Sequence, residues 1–451
     1  MQKERFFNIL KRGCRKMERA KVSLVKFNDD RRNIRRAVEM CDGFKELTPS
    51  KRVLLKPNLV MWDEVLPFPK FGVITTAVVV EEMVRLLKEH GCSDIAIGEA
   101  TTEDESINSE TEAAYRGMGF QQLEKKYGVK LLDLNRGPFE RVEFDGFSLD
   151  IAAPVLEADF LINLPVLKTH NTTRVSLGFK NLKGCLSRRS KIFCHHPELP
   201  LDRFIQRLGE KLAPALTLID GIYALDRGPA MNGTAHRADI LIASRDMFAA
   251  DVVGTMILGM NPADIGHLAE HARRHGLPLD GSNVEICGEE LSSLVRPLKW
   301  DWGWLEDNSG PTAFGRMGIS GVYYPKYDHT ICSGCSFLNN MILILLIGAY
   351  TGEPFDSIEF LTGKVARSRG GYKKTFLFGN CIIRANRDNP AIGEAVEIRG
   401  CPPRAEDIVR TLNEHGIRAD FNTYLQYRES LAARYRDQPQ FREEHFVVGE
   451  A

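Results

Sequence analysis

No hydrophobic run in this 451-residue chain reaches the ~20 residues that a membrane-spanning helix needs. The most apolar stretch, MILILLIGAY at 341–350, is far shorter and reads as a buried helix. An excess of charge of one sign is also missing. The 60 basic and 60 acidic residues give a formal net charge of +0, which argues against bulk attraction to nucleic acid or to an acidic membrane. A local basic pocket is still allowed. The phosphate-cradling patterns G-x-x-x-x-G-K-[ST] and G-x-G-x-x-G are absent, which weakens any nucleotide-using ligase or kinase reading. So are internal repeats and low-complexity segments. The start, MQKERFFNILKRGCRKMERA, lacks the apolar core and cleavage site of a secretory signal. With neither signal nor span, a cytoplasmic protein is expected, with residues 1–20 as a basic arm.

What is present up to about residue 320 is a rhythm of short apolar strands and amphipathic helices. RVLLKPN (52–58), DIAIGEA (94–100), VKLLDL (129–134), ADFLINLPVLK (158–168), LTLIDGI (216–222) and ADILIAS (238–244) read as buried strands. TTAVVVEEMVRLLKEHG (75–91) has helical spacing at Val79, Met83, Leu86 and Leu87, opens on threonine and closes on Gly91. The pattern predicts an α/β fold: a mostly parallel, doubly wound sheet with helices on both faces, over residues 21–320. A smaller α/β cysteine-rich module is expected at 321–424, and a charged, partner-facing or frayed tail at 425–451. The tryptophans in 300–318 read as a cap on the core at the boundary.

Ten cysteines in a reducing compartment are not expected to pair as disulfides, so their placement carries the information. Cys14, Cys41, Cys92 and Cys287 are scattered. Cys332 and Cys335 form C-x-x-C around Gly334, and Cys381 and Cys401 each follow a predicted strand. Pro402 is expected to open a helix, placing Cys401 at its N-terminus. Three readings compete. Zinc ribbons supply two C-x-x-C knuckles and only one exists here. A dithiol redox pair leaves Cys381 and Cys401 unexplained. A [4Fe–4S] cluster tolerates one close pair with two distant cysteines and is favoured, with zinc as the alternative.

Ligands of parallel sheets bind beyond the carboxyl ends of the strands. Lys56, Asn58, Glu99, Asn163, Lys168, His170 and Asp220 lie there. The segment 163–196 adds Arg174, Lys180, Asn181, Lys183, Arg188, Arg189, Lys191 and His195, a cation density suited to an anionic small molecule. Gly178 and Gly184 are expected to let the backbone approach that ligand. His170, Lys168 and Asp220 are candidate catalytic groups. Lys56, Asn58, Lys180, Asn181, Lys183 and His195 are candidate substrate contacts.

LLKPNLV (54–60), INLPVLKTH (162–170), SLGFKNLKGC (176–185) and IDGIYALDRGP (219–229) resemble the family known as domain of unknown function 362, over about residues 20–265. Members are often joined to ferredoxin-like [4Fe–4S] modules, so the resemblance implies an iron–sulfur association. This chain lacks the C-x2-C-x2-C-x3-C run of that attachment. The ending GCPPRxExI is similar, in one loop only, to the cluster-binding end of the small subunit of respiratory complex I, which supports Cys401 as a ligand. Two functions are expected from these features. One is an iron–sulfur oxidoreductase fed by an electron-donor protein. The other is a cluster or metal carrier that docks on a partner. A homodimer is compatible with the sequence but not required by it.

Overall fold

A computed structural model describes residues 19–64, 68–102 and 111–449. Nearly all of the expected basic arm lies outside the described residues. The first domain is built on one sheet in the order β12-β1-β11-β10-β7-β2-β3-β4. The strands are β1 (Ala20–Lys26), β2 (Val53–Pro57), β3 (Ile95–Glu99), β4 (Lys130–Asp133), β7 (Phe160–Leu164), β10 (Leu216–Asp226), β11 (Thr234–Ser244) and β12 (Val284–Gly288). A separate hairpin joins β5 (Phe139–Phe144) to β6 (Phe147–Ala152). The short β8 (Val166–His170) pairs with β10 and with β9 (Arg174–Val175). The block β10-β7-β2-β3-β4 is parallel, as expected. β11 is antiparallel to both its neighbours, which local periodicity did not signal.

Alternation along β2 explains the two layers. Val53 and Leu55 enter one apolar core and Leu54 the opposite one, so a single strand anchors helices on both faces. Helix α1 (Arg32–Met40) covers one face and α2 (Ala77–Glu89) the same side further along. The hydroxyl of Thr76 caps α2 by accepting from Val79 N–H, and itself donates to Asp220 (2.8 Å). The segment 158–168 is two strands rather than one, because Pro165 cannot continue a ladder.

Five further helices of the first domain lie in or next to the basic segment and behind it: α3 (Gly178–Asn181), α4 (Arg188–Phe193), α5 (Leu201–Leu212), α6 (Met247–Ile257) and α7 (Gly266–His275). The second domain has a four-stranded parallel sheet in the order β13 (Val322–Tyr323), β14 (Ile358–Leu361), β15 (Lys374–Phe378), β16 (Glu394–Ile398). Its helices include α8 (Ser333–Ala349), α9 (Asn380–Asn386) and α10 (Ala405–Glu414), and it has its own apolar core.

The tail corrects the expectation of a frayed end. From the end of α11 (Phe421–Ala433) onward the chain packs on the first domain, where Leu431 of that helix and then Tyr435, Phe446 and Val448 join the core. Phe446 packs on Phe71 and Tyr223, and buried Arg428 pairs with buried Asp63 at 2.9 Å. The tail's charges misled the sequence reading because its few apolar residues do the packing. Phe446→Ala is expected to lower stability in chemical denaturation by about 3–5 kcal/mol, the cost of emptying a buried aromatic site. A frayed tail would show a change near zero.

Candidate functional site

Three consecutive parallel strands of the second domain send their carboxyl-end loops to one place. β14 delivers Gly363 and Lys364, β15 delivers Gly379 to Cys381, and β16 delivers Gly400 and Cys401. Asn380 stitches two of these loops together. Its N–H donates to the Gly400 carbonyl (3.0 Å), and its side chain accepts from Gly400 N–H (2.9 Å). Cys332 occupies the cap position of α8, with Cys335 in its first turn. Gly334 lies so close to Pro402 that a Cβ would meet its ring at 3.1 Å. All four cysteines, 332, 335, 381 and 401, therefore line one small cavity. Among the described residues, no three of their sulfurs lie within 4.8 Å of one another.

Two expectations about these loops change. Pro402 does not open the helix: Arg404 is still extended and α10 starts at Ala405. The helix starts that do carry site cysteines are those of α8 and α9, with Cys381 in the first turn of α9. The thiol and N–H of Cys335, helped by Lys364 and Lys183, hold the Cys332 thiol well below the usual range. Cys401 is exposed, and Arg188 donates to its carbonyl at 3.3 Å.

A second cavity, of about 230 Å³, lies between the two domains. His170, Lys180, Lys183 and His195 line it from the first domain, and Ser333, Ser336 and Phe337 line it from α8. Cys332 and Cys335 thus border one cavity while their neighbours on the same helical turn border the other. Lys183 Nζ bonds His195 Nε2 (2.7 Å), and His195 Nδ1 donates to the His329 carbonyl of the second domain (2.9 Å). His170 Nδ1 accepts from Thr172 N–H (3.1 Å), so its Nε2 carries the proton. Lys180 Nζ has no hydrogen-bond partner among the described residues.

Several predicted contacts do not reach this cavity. Lys56 is fully buried in an ion pair with Glu99 (2.8 Å), whose other oxygen accepts from Leu59 N–H. Asn58 donates to Asn181 (2.8 Å), and Asn181 to Asn163 (2.8 Å), forming an internal amide chain. Lys168 donates to Asn58 Oδ1 (2.8 Å) and to the carbonyls of Val73 (2.6 Å) and Pro229 (3.2 Å), which uses all three of its protons. Asp220 accepts from Thr76 N–H (2.7 Å) and Ile222 N–H (3.1 Å) and positions a helix start. Gly178 and Gly184 answer to the protein rather than to a ligand. A Cβ at 178 would lie 2.7 Å from Asp251, which holds the first amides of α3. A Cβ at 184 would lie 2.5 Å from Glu99. The sequence reading missed Trp302, Trp304 and Tyr327, which wall the cavity, and Lys364 beside the cysteines. Their only signal was their position at the domain boundary or just after a strand.

Burial sets the protonation here. It pushes Lys168 down to about 7, with Glu99 only partly opposing it, and Lys180 down to about 7 with help from Lys183 and Lys168. Burial and the neighbouring lysines hold His170 and His195 well below the usual histidine range. Elsewhere Glu210, His271 and His275 come within 4.8 Å of one another. The Glu210 carboxylate already accepts from Arg274 (3.0 Å) and His275 (2.6 Å), so the trio reads as an ion-pair network between α5 and α7.

The architecture is thus a two-domain α/β protein with a four-thiol cavity beside a cationic one. The chain matches the family described as domain of unknown function (DUF362) over residues 53–256. It is 30% identical over 233 residues, 50% of this chain and 68% of the relative, to the thylakoid-associated protein sll1697 of Synechocystis sp.. The chain belongs to this family. Among solved structures, the lactate racemase apoprotein of Thermoanaerobacterium thermosaccharolyticum aligns with a TM-score of 0.33 and 17% identity, over 55% of this chain and 58% of that one. Among the described residues no helix is long and apolar enough to cross a membrane.

Burial also lowers Lys183, and the depressed lysines, Lys168 and Lys180 among them, make stability depend on pH. Between pH 7 and the ordinary lysine range near 10.5 the unfolded chain keeps protons that the folded chain has released. Stability should therefore rise with pH across that window, by up to about 1.4 kcal/mol per pH unit for each lysine. Urea unfolding of wild type and Lys180→Met at pH 7, 8 and 9 checks this: the variant should lose part of the slope.

Proposed function

We propose that this protein is an iron–sulfur oxidoreductase in which Cys332, Cys335, Cys381 and Cys401 hold a [4Fe–4S] cluster and an anionic small molecule occupies the cavity between the domains. The observation that carries this reading is the shared helix. The first turn of α8 supplies Cys332 and Cys335 to one cavity and Ser333 and Ser336 to the other. A redox centre and a bound substrate would then lie on different sides of one and the same helical turn.

The donor set fits a cluster better than a single ion. Zinc–sulfur bonds of about 2.3 Å place tetrahedral thiolates about 3.8 Å apart, and no three of these sulfurs lie within 4.8 Å. A four-iron cluster spaces its thiolates more widely, so Cys332 and Cys335, whose thiols are in hydrogen-bond contact, would part to hold it. Lys364 and Lys183 stand near enough to favour thiolate charge. Bound there, such a cluster supplies electrons one at a time.

The side chains of the second cavity divide the remaining work. Lys180, poised near neutrality, can counter an anionic head and release a proton at neutral pH. His170 is neutral there and serves better as an Nε2–H hydrogen-bond donor than as an acid. This revises the catalytic weight first given to His170, Lys168 and Asp220. Lys183 and His195 tie the basic segment to the second domain, which keeps the two cavities in register. The exposed rim at Cys401, with Arg188 beside it, suits an acidic electron-donor protein. A carrier role draws on the same exposure of Cys401, but the tail that would have served it for docking is folded into the first domain.

Anaerobically purified protein should be brown and contain about four iron and four sulfide per chain. After dithionite reduction it should give a paramagnetic cluster signal, and a serine at any of the four cysteines should cut the iron content. Stoichiometric zinc without iron would sink the reading. Rapid release of the cluster to an apo-acceptor, without turnover of a small molecule, would shift it to the carrier.

A further inference from the structure

Taking the cavity between the domains as the substrate site, as proposed above, we infer that its ligand is an amphipathic monoanion: one carboxylate-type head joined to an aromatic or medium-chain apolar body. The hydrogen-bonding of the lysines argues for a compact negative head. Of four lysines near this cavity, Lys56 is ion-paired with Glu99, Lys168 spends its three protons on neutral oxygens, and Lys183 gives one to His195. Only Lys180 is left without a partner among the described residues. The free donors therefore centre on Lys180, with Lys183 beside it in the cavity wall, a grouping suited to one carboxylate.

The helix argues for the apolar body. The side of α8 that faces the cavity carries Ser333 and Ser336 near the cysteines, then Phe337, the amides Asn339 and Asn340, and beyond them Leu343, Ile344 and Ile347. The opposite side of the same helix, with Met341, Ile342 and Leu345, is fully buried in the second domain's core. The four apolar residues facing the cavity are only partly covered. Phe337 leans on the first core and Leu343 and Ile347 on the second, yet each keeps part of its surface toward the cavity, which leaves the far end of this side open to an apolar guest. Trp302, Trp304 and Tyr327 add aromatic rings to the cavity wall. Lys183 lies near enough to Cys332 to influence its thiol, so the cationic end is the one nearest the cysteines. The guest's head would therefore point toward them and its body away. From Ser336 to Ile344 the helix rises about 12 Å, the reach of a phenyl ring on a short chain with its carboxylate.

Calorimetry on the anaerobically prepared full chain tests this with four probes: 4-phenylbutyrate, acetate, 4-phenylbutan-1-ol and inorganic pyrophosphate. The expected result is binding of 4-phenylbutyrate at least tenfold tighter than each of the others. Lys180→Met should weaken 4-phenylbutyrate about tenfold and leave the alcohol unchanged. Leu343→Asn should weaken both phenyl probes several-fold without affecting acetate. Acetate equal to 4-phenylbutyrate, or pyrophosphate tighter than it, would overturn the amphipathic ligand while leaving an anion site and a redox centre in place. Phenylbutyrate binding that ignores both substitutions would overturn the assignment to this cavity. If no anion binds at all, the inference and the anionic-substrate reading fail together, while the iron, sulfide and paramagnetic measurements still report on the cluster.

Discussion

Positive charge that leaves water must be matched, and the interior of this protein is arranged around that need. An unpaired ammonium in a low-dielectric interior costs several kcal/mol or gives up its proton. Lys56 takes Glu99 from the end of β3, and Gly184 must stay small for the pair to fit. Lys168 draws the loops that carry Val73 and Pro229 onto itself through their carbonyls. Lys183 takes His195, which is held in turn by a carbonyl of the second domain. Each match fixes a loop, and together they fix the walls of the cavity. Lys180 is the one left facing open space.

The two domains contribute to the site by the same rule. In parallel sheets the loops at the carboxyl ends converge, since every strand points the same way. In the first sheet those loops carry lysine, histidine and asparagine, and in the second they carry cysteine. Helix α8 joins the two sets. Its first turn holds two cysteines, one side packs the second core, and the other side walls the cavity. One stretch that reads simply as a buried apolar helix thus has three separate duties.

Much of this was legible. The run RVLLKPN gave β2 almost to the residue, and Thr76 and Gly91 bracketed α2 as threonine caps and glycine stops do. The four C-terminal cysteines come to one cavity. Other features were not legible, for physical reasons. Lys56 and Lys180 look alike in a sequence, because what separates them is a carboxylate that lies 43 residues from Lys56 and 81 from Lys180 along the chain. The direction of β11 follows from its neighbours, not from its own pattern. Phe446 in a charged tail gives no local hint that it fills a pocket between Phe71 and Tyr223.

By itself the sequence determined what is local: strand and helix character, caps and breaks, which thiols and cations exist, and the α/β class with a second, cysteine-rich module. These follow from backbone preferences and from periodicity within a few residues. The tertiary structure alone decided which cations find partners inside the protein and which one faces a cavity without any. It also placed the tail in the first core and set α8 between thiols and lysines. Those outcomes depend on contacts between residues tens to hundreds of positions apart, and on a dielectric that exists only once the chain has packed.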